Sequence, residues 1–380
     1  MPLNYLDLQP KIRAYAQRAA AAFSKQETQL AELLEWLHAC AETPQSEVSE
    51  RCRQHNTTRC ALPAGETVDS AFPAQSQAGA CILLAADGSQ IIPNTHDAVP
   101  LALVNTSLIS LNNQSGQPPR VSVVSEILNM EPDGVEIELL SEDLINLRRD
   151  VAEVRIIQTY QPSDDLPVIA LRDGPLELFH QPQESDIFKQ AFAEYIELLT
   201  QLHEQNYSLA GYIDRSQSTT LTQMLTIFKT GQPVPRERAA LADKTLMAKL
   251  LPPGQRSAIF ALQSTSSQHY REDLAVHFFY LNVSSNDKPY IVRVEIPAWV
   301  ARDAGKVERL HATLLEQCRL LGQRPYPYVL HRSHEEAVVH FDEKEQLQLT
   351  LQTELLKQGV DIFQISNKLA AKELSNRTRM

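Results

Sequence analysis

Glycine is scarce in this chain, with 12 residues of 380 against 22 prolines. No Gly-rich stretch has the spacing of a phosphate-cradling loop, which argues against nucleotide hydrolysis of the P-loop kind. No run of eighteen apolar residues occurs, so no membrane span is expected. The opening MPLNYLDLQPKIRAYAQ carries charges where a signal peptide needs an apolar stretch, and the expected location is the cytoplasm. There is no H-E-x-x-H, which removes the common zinc-protease pattern. Basic residues are in deficit, 35 Lys and Arg against 47 Asp and Glu, for a net charge of −12. Alone this argues against a nucleic-acid partner, but a local basic groove or a bound metal ion supplies positive charge where it is needed.

Cysteine is sparse and odd in number: Cys40, Cys52, Cys60, Cys81 and Cys318. That suits a reducing compartment better than a disulfide frame. Three of them fall between residues 40 and 60 beside His38 and His55. A zinc site from Cys40, Cys52, His55 and Cys60 is conceivable, with free thiols at a helix end as the plainer alternative, since no C-x-x-C pair is present.

What is present reads as one mixed α/β domain with helical additions. Residues 1–40 have helical periodicity through Leu30, Leu33, Leu34 and Leu37, as one amphipathic element or an antiparallel pair. Residues 41–77 are polar and aperiodic and read as a connecting segment. Strands are expected at 80–86, 99–111, 120–127, 167–171, 208–213, 256–262, 275–283 and 290–296. Helices are expected at 142–160, 186–205, 217–229, 239–250, 303–322 and from about 328, with 343–372 mostly helical. The expected division is a helical extension and polar linker over 1–77, a mixed α/β domain over 78–345 and a C-terminal helical segment over 346–380.

Two apolar strands each run into an Asp-Gly pair, at Asp87 and Asp173. Carboxylates at the ends of adjacent buried strands can hold a divalent cation in a cleft, although Asp-Gly is also a common turn pair. Glu153 lies on a helix twenty residues before Asp173 and offers a third carboxylate, or pairs with Arg149 or Arg155 instead. The segment HRSHEEAVVHF adds His331, His334 and His340, and an imidazole beside carboxylates favours manganese over magnesium.

ILLAADGSQ, ALRDGPLEL, AGYIDRSQS, YIVRVEIPAWV and PYPYVLHRSHEEAVV resemble, in that order, the successive motifs of NurA nucleases across about residues 80–345. The resemblance implies a ribonuclease-H-like mixed-sheet α/β core with flanking helices. It also implies metal-dependent DNA cleavage, endonucleolytic, 5′–3′ exonucleolytic or both, with Mn²⁺ preferred and Mg²⁺ accepted. It further implies a homodimer that works with a HerA-like hexameric ATPase in processing DNA ends for double-strand break repair. By resemblance Asp87 and Asp173 are metal ligands, and His334 is the histidine of a Y-P-x-x-L-x-x-A-H pattern that here carries Ser333 in place of Ala. Glu153 is assigned to the intervening glutamate, with Glu126 in reserve. Arg215 and Arg293 are assigned to phosphate binding, where Arg offers a planar fork of donors. The family often has Lys at the first of these positions. Glu295 pairs with Arg293 or supports the site from behind. The rival reading is a non-catalytic DNA-binding or scaffold subunit of the same fold.

Overall fold

A computed structural model of the chain describes residues 3–74, 77–93, 99, 101–128, 141–162, 164–178, 186–235, 240–322 and 324–360. The chain forms two compact units, one from residues 1–77 and 212–315, the other from 78–211 and 316–380.

The first unit opens with α1 (Tyr5–Ala41), whose first turn is capped by the Asn4 side chain. It is one continuous helix, because residues 11–41 contain neither Gly nor Pro to break it. Leu30, Leu33, Leu37 and Cys40 are buried at the expected helical spacing, while Leu6 (83% exposed) and Tyr15 (70%) are not. The stretch read as an aperiodic connection carries α2 (Gln45–Arg53), β1 (Cys60–Pro63) and β2 (Ala71–Pro73). Strands of four and three residues are too short to show alternation. They form because β1 pairs antiparallel with Phe260–Gln263 and β2 with Gln255–Ser257, partners nearly two hundred residues away. All five cysteines are buried and in no disulfide, and His55 is turned to the Gly231 carbonyl (3.0 Å).

The second unit begins with β3 (Ile82–Ile91), β4 (Ala102–Asn112) and β5 (Arg120–Leu128), followed by α3 (Glu142–Gln158), β6 (Val168–Asp173), α4 (Asp186–Glu204) and β7 (Ser208–Ile213). The strand order is β7-β6-β3-β4-β5. β3 runs antiparallel to β4 and parallel to β6, and β4 antiparallel to β5. A central strand buried on both faces needs a continuous apolar run, and Ile82–Ala86 supplies it. This order, an antiparallel trio followed by a crossover helix to the parallel strand β6 and a second helix to β7, is the expected ribonuclease-H-like mixed sheet with flanking helices.

The chain then returns to the first unit with α5 (Thr220–Thr230), α6 (Asp243–Leu250), β8 (Gln255–Ser257), β9 (Phe260–Gln263), β10 (Val276–Asn282), β11 (Ile291–Pro297), α7 (Ala298–Ala301) and α8 (Ala304–Leu320). The single strand expected at 256–262 is therefore two, β8 and β9. Asp243, fully buried, accepts the Leu221 and Thr222 backbone N–H groups (2.9 Å each), the Thr220 hydroxyl and the Tyr280 hydroxyl (2.7 Å). It thereby satisfies the first turn of α5, which Thr219 does not cap with its own side chain. The second unit closes with α9 (Tyr328–Ala337) and α10 (Phe341–Lys357). The helix expected over 343–372 is seen through Lys357, and its continuation beyond 360 lies outside the described residues. Among the described residues no helix is long and apolar enough to cross a membrane.

His311 in α8 is fully buried, with Nε2 on the Gly254 carbonyl (3.0 Å). Burial lowers its pKa from the ordinary 6.5, as it does for His277. A histidine whose folded pKa is depressed leaves stability intact above 6.5, and the unfolded chain takes up protons first as pH falls below it. The urea midpoint is therefore expected to drop between pH 7 and pH 5, and His311→Gln should flatten part of that slope. An identical slope in the variant would show that His311 does not drive it.

Candidate active site

Asp87 is placed by the middle of β3 and not by a turn. The ladder continues from Asp87↔Ser107 through Gly88 and Ser89 to Ile91↔Leu103, so the Asp-Gly pair here does not end the strand. Gly88 is required for a packing reason: a Cβ at that position would lie 2.6 Å from Arg149 Cγ and 3.0 Å from Glu153 Oε1. Asp173 is the last residue of β6, and Gly174 follows with φ +99°, the turn that the second Asp-Gly pair predicted. β3 and β6 are adjacent and parallel, which brings the two aspartates to one end of the sheet.

His334 is delivered by α9, which is stapled to β3 and β4 by side chains reaching its backbone. Ser89 and Asn105 both donate to the Ala337 carbonyl (2.5 and 2.8 Å), and the Ser107 hydroxyl reaches the Ser333 carbonyl (2.6 Å) and hydroxyl (2.7 Å). Ser107 and Ser333 are both fully buried, so Ser333, the departure from the family pattern, is matched by a polar partner on the sheet. The staples set the His334 imidazole against Asp87, with Nδ1 2.7 Å from Oδ2, while Asp87 Oδ1 accepts the Gly88 N–H (2.9 Å).

Partial desolvation pushes the Asp173 carboxyl up. A hydrogen bond from Tyr326 and the charge on His334 pull it down, and Asp87 pushes it further up. Asp87, Asp173 and His334 thus share one small region, with Tyr326 added to it. Tyr326 is the tyrosine that opens the Y-P-x-x-L-x-x-A-H pattern ending at His334, but no role was assigned to it, since the hydroxyl aimed at Asp173 could not be seen in the sequence.

Glu153 lies beside this group on α3, but its oxygens are engaged. Oε2 accepts from Arg172 Nη2 (2.8 Å) and Nε (3.2 Å), and Oε1 faces Arg149 Nε (3.6 Å). Burial pushes the Glu153 carboxyl up, to about 8, with the charge on Arg172 offsetting part of that cost. Arg172 was not singled out in the sequence, although it sits next to Asp173 in ALRDG. Glu126, the reserve candidate, is exposed on β5 and faces Arg155 (3.3 Å). His331 faces Glu335 (3.5 Å), and His340 caps α10 together with Glu343.

The two arginines assigned to phosphate belong to the other unit. Arg215 is exposed, has left-handed backbone (φ +48°), and its Nε lies 3.5 Å from the Tyr290 hydroxyl. Arg293 is 2% exposed, ion-paired with Glu295 (2.9 Å), hydrogen-bonded to Thr220 (3.0 Å) and stacked on Phe278 at 3.5 Å. Arg293 is built into the interior with Glu295 as its counter-ion.

Two hard carboxylates and one imidazole are the donor types that suit Mg²⁺ or Mn²⁺. Among the described residues no three His, Cys, Asp or Glu side chains already form a cage; Asp87 and His334 are closed on each other. Gly88→Ala should displace Arg149 and Glu153 and cost about 1–3 kcal/mol by overpacking. Denaturant midpoints measure the loss, and a neutral result would mean that the Arg149 stem moves aside freely.

A family model described as the NurA domain matches residues 81–339, a span that includes Asp87, Glu153, Asp173 and His334. Among solved structures, the NurA nuclease from Sulfolobus solfataricus superposes with a TM-score of 0.52 at 14% identity, covering 90% of this chain and 98% of that one. The catalytic domain of human endonuclease V gives a TM-score of 0.33 at 14% identity, covering 82% and 99%. No curated protein sequence matches.

Proposed function

The chain belongs to the NurA family, and from that premise we propose that it is a metal-dependent DNA nuclease acting on DNA ends. The observation that carries this reading is the meeting of Asp87 and His334 (2.7 Å) beside Asp173, on the adjacent parallel strands β3 and β6 and the stapled helix α9. Asp87 and Asp173 are the carboxylates that hold the ion, His334 is the imidazole donor, and Glu153 is the third carboxylate. A bound Mn²⁺, or Mg²⁺ in its place, supplies Lewis-acid charge at a phosphodiester and lowers the pKa of water. Tyr326 orients Asp173 through its hydroxyl. Arg215 is the exposed cation that binds a backbone phosphate. Arg293 acts from within, holding Glu295 and the Thr220 end of α5.

A chain of net charge −12 gets little long-range attraction to DNA. Delivery by a HerA-like hexameric ATPase compensates, with endonucleolytic or 5′–3′ exonucleolytic cutting serving double-strand break repair. Exposed apolar side chains on α1 (Leu6, Tyr15, Phe23) and α10 (Phe341, Leu349, Leu356) support docking to that motor or to a second copy.

The test is cleavage of end-labelled single- and double-stranded DNA with Mn²⁺, Mg²⁺ or EDTA, beside Asp87→Asn and Asp173→Asn. Manganese-dependent cutting is expected, lost by at least a hundredfold in either variant while the thermal unfolding midpoint holds. DNA binding without cleavage under any metal, with the ATPase present, would favour the non-catalytic scaffold reading instead.

A further inference from the structure

We propose that Arg172 is the positioning residue of the acidic cluster, holding Glu153 in the orientation in which its Oε1 lies toward Gly88, the residue after Asp87 in β3. The proposal rests on the metal-dependent reading above and deepens it.

Arg172 is 2% exposed and directs its guanidinium into five hydrogen bonds. Nε and Nη2 both reach Glu153 Oε2 (3.2 and 2.8 Å), and Nη2 also reaches Asp150 Oδ1 (2.9 Å). Nη1 donates to the Pro175 carbonyl (3.1 Å) and the Tyr195 hydroxyl (3.2 Å), and Tyr195 in turn donates to the Leu176 carbonyl (2.8 Å). The planar fork is thus fixed from both sides, by α3 through the two carboxylates and by α4 and the turn after β6 through neutral acceptors. Lys has three donors on a flexible stem and cannot reproduce that set.

Stability alone does not account for the arrangement. Burying such a group of charges gives little net stabilisation over apolar side chains of the same volume. What the charges provide is direction. Glu153 Oε2 is turned to Arg172, which sets Oε1 between Arg149 Nε (3.6 Å) and Gly88, at 3.0 Å from where a Cβ would stand on Gly88, in the strand position next to Asp87. The groups that orient a metal's ligands typically change metal affinity ten- to a hundredfold when altered.

The experiment is an electron paramagnetic resonance titration of the full chain with Mn²⁺, for the wild type, Arg172→Lys, Tyr195→Phe and Asp150→Asn. Arg172→Lys is expected to weaken Mn²⁺ binding about ten- to a hundredfold, with cleavage recovering as Mn²⁺ is raised. Tyr195→Phe keeps the volume, removes one anchor of the guanidinium and should shift affinity in the same direction by less. It carries the test if Arg172→Lys does not fold. Asp150→Asn removes another anchor of the same guanidinium and should weaken Mn²⁺ binding in the same direction, by clearly less than Arg172→Lys. Wild-type affinity in the folded Arg172→Lys protein, or in Tyr195→Phe where only that variant folds, would overturn the positioning role. An Asp150→Asn protein as weakened as Arg172→Lys would overturn it too. A wild type that binds no Mn²⁺ would sink the metal reading itself, which separates the two failures.

Discussion

A guanidinium at 2% exposure must find an acceptor for its N–H groups or pay the desolvation cost of each one left over. Arg172 meets that demand with Glu153, Asp150, Pro175 and Tyr195, and the consequences spread outward. Its acceptors come from α3, α4 and the turn beyond β6, so the crossover helices are keyed to the strand that ends in Asp173. Arg149 completes the key on the other side, its stem lying across Gly88 and its Nη1 on Gln90 (2.9 Å), two residues of β3 that follow Asp87. The two aspartate-bearing strands are therefore referenced to α3 by two arginines. Neither reference depends on a loop.

The other support is α9. A helix packed only by apolar side chains can slide by a fraction of a turn. One whose backbone carbonyls accept from Ser89, Asn105 and Ser107 has its register set by hydrogen bonds. That register puts His334 on Asp87. The polar residues in β3 and β4 that do this interrupt the hydrophobic pattern of the strands, and the interruption marks where the sheet stops being core and begins to hold the site.

Legibility in the sequence followed the range of the forces. The apolar runs ending at Asp87 and Asp173, the amphipathic stripe of Leu30, Leu33 and Leu37, and the ordered motifs are local patterns. The strands and helices of the second unit were read from them to within a few residues. β1 and β2 were not, because strands of four and three residues exist only through partners near residues 255–263. Asp87 was placed beside its neighbours but at a turn, since the reason Gly88 stays in the strand is the Arg149 stem above it, a contact across sixty residues. Arg172 went unread because an Arg beside an Asp has no periodicity to announce a buried partner, and Tyr326, though part of the quoted motif, had nothing local to show that its hydroxyl meets Asp173. Arg293 was read as a phosphate contact with Glu295 as its possible pair; the pair is present, and Phe278 and Thr220 enclose it.

The arrangement of charge favours a cation at the outer end of the sheet. On the inner side two acidic groups, Asp150 and Glu153, meet two guanidinium groups, Arg149 and Arg172. On the outer side Asp87 and Asp173 meet one imidazole, half out in solvent, and a tyrosine hydroxyl. The inner balance keeps the sheet and helices together without an ion. The outer side is short of positive charge, and the charge on Asp87 raises the cost of ionising Asp173. A divalent ion bound there, as the proposed nuclease reading requires, would relieve that repulsion. Glu153 joins the two sides: Arg172 and Arg149 hold it, and the charge on Asp87 adds to the burial cost of ionising it, so the pairs that keep α3 in place also set where its carboxyl stands beside Asp87.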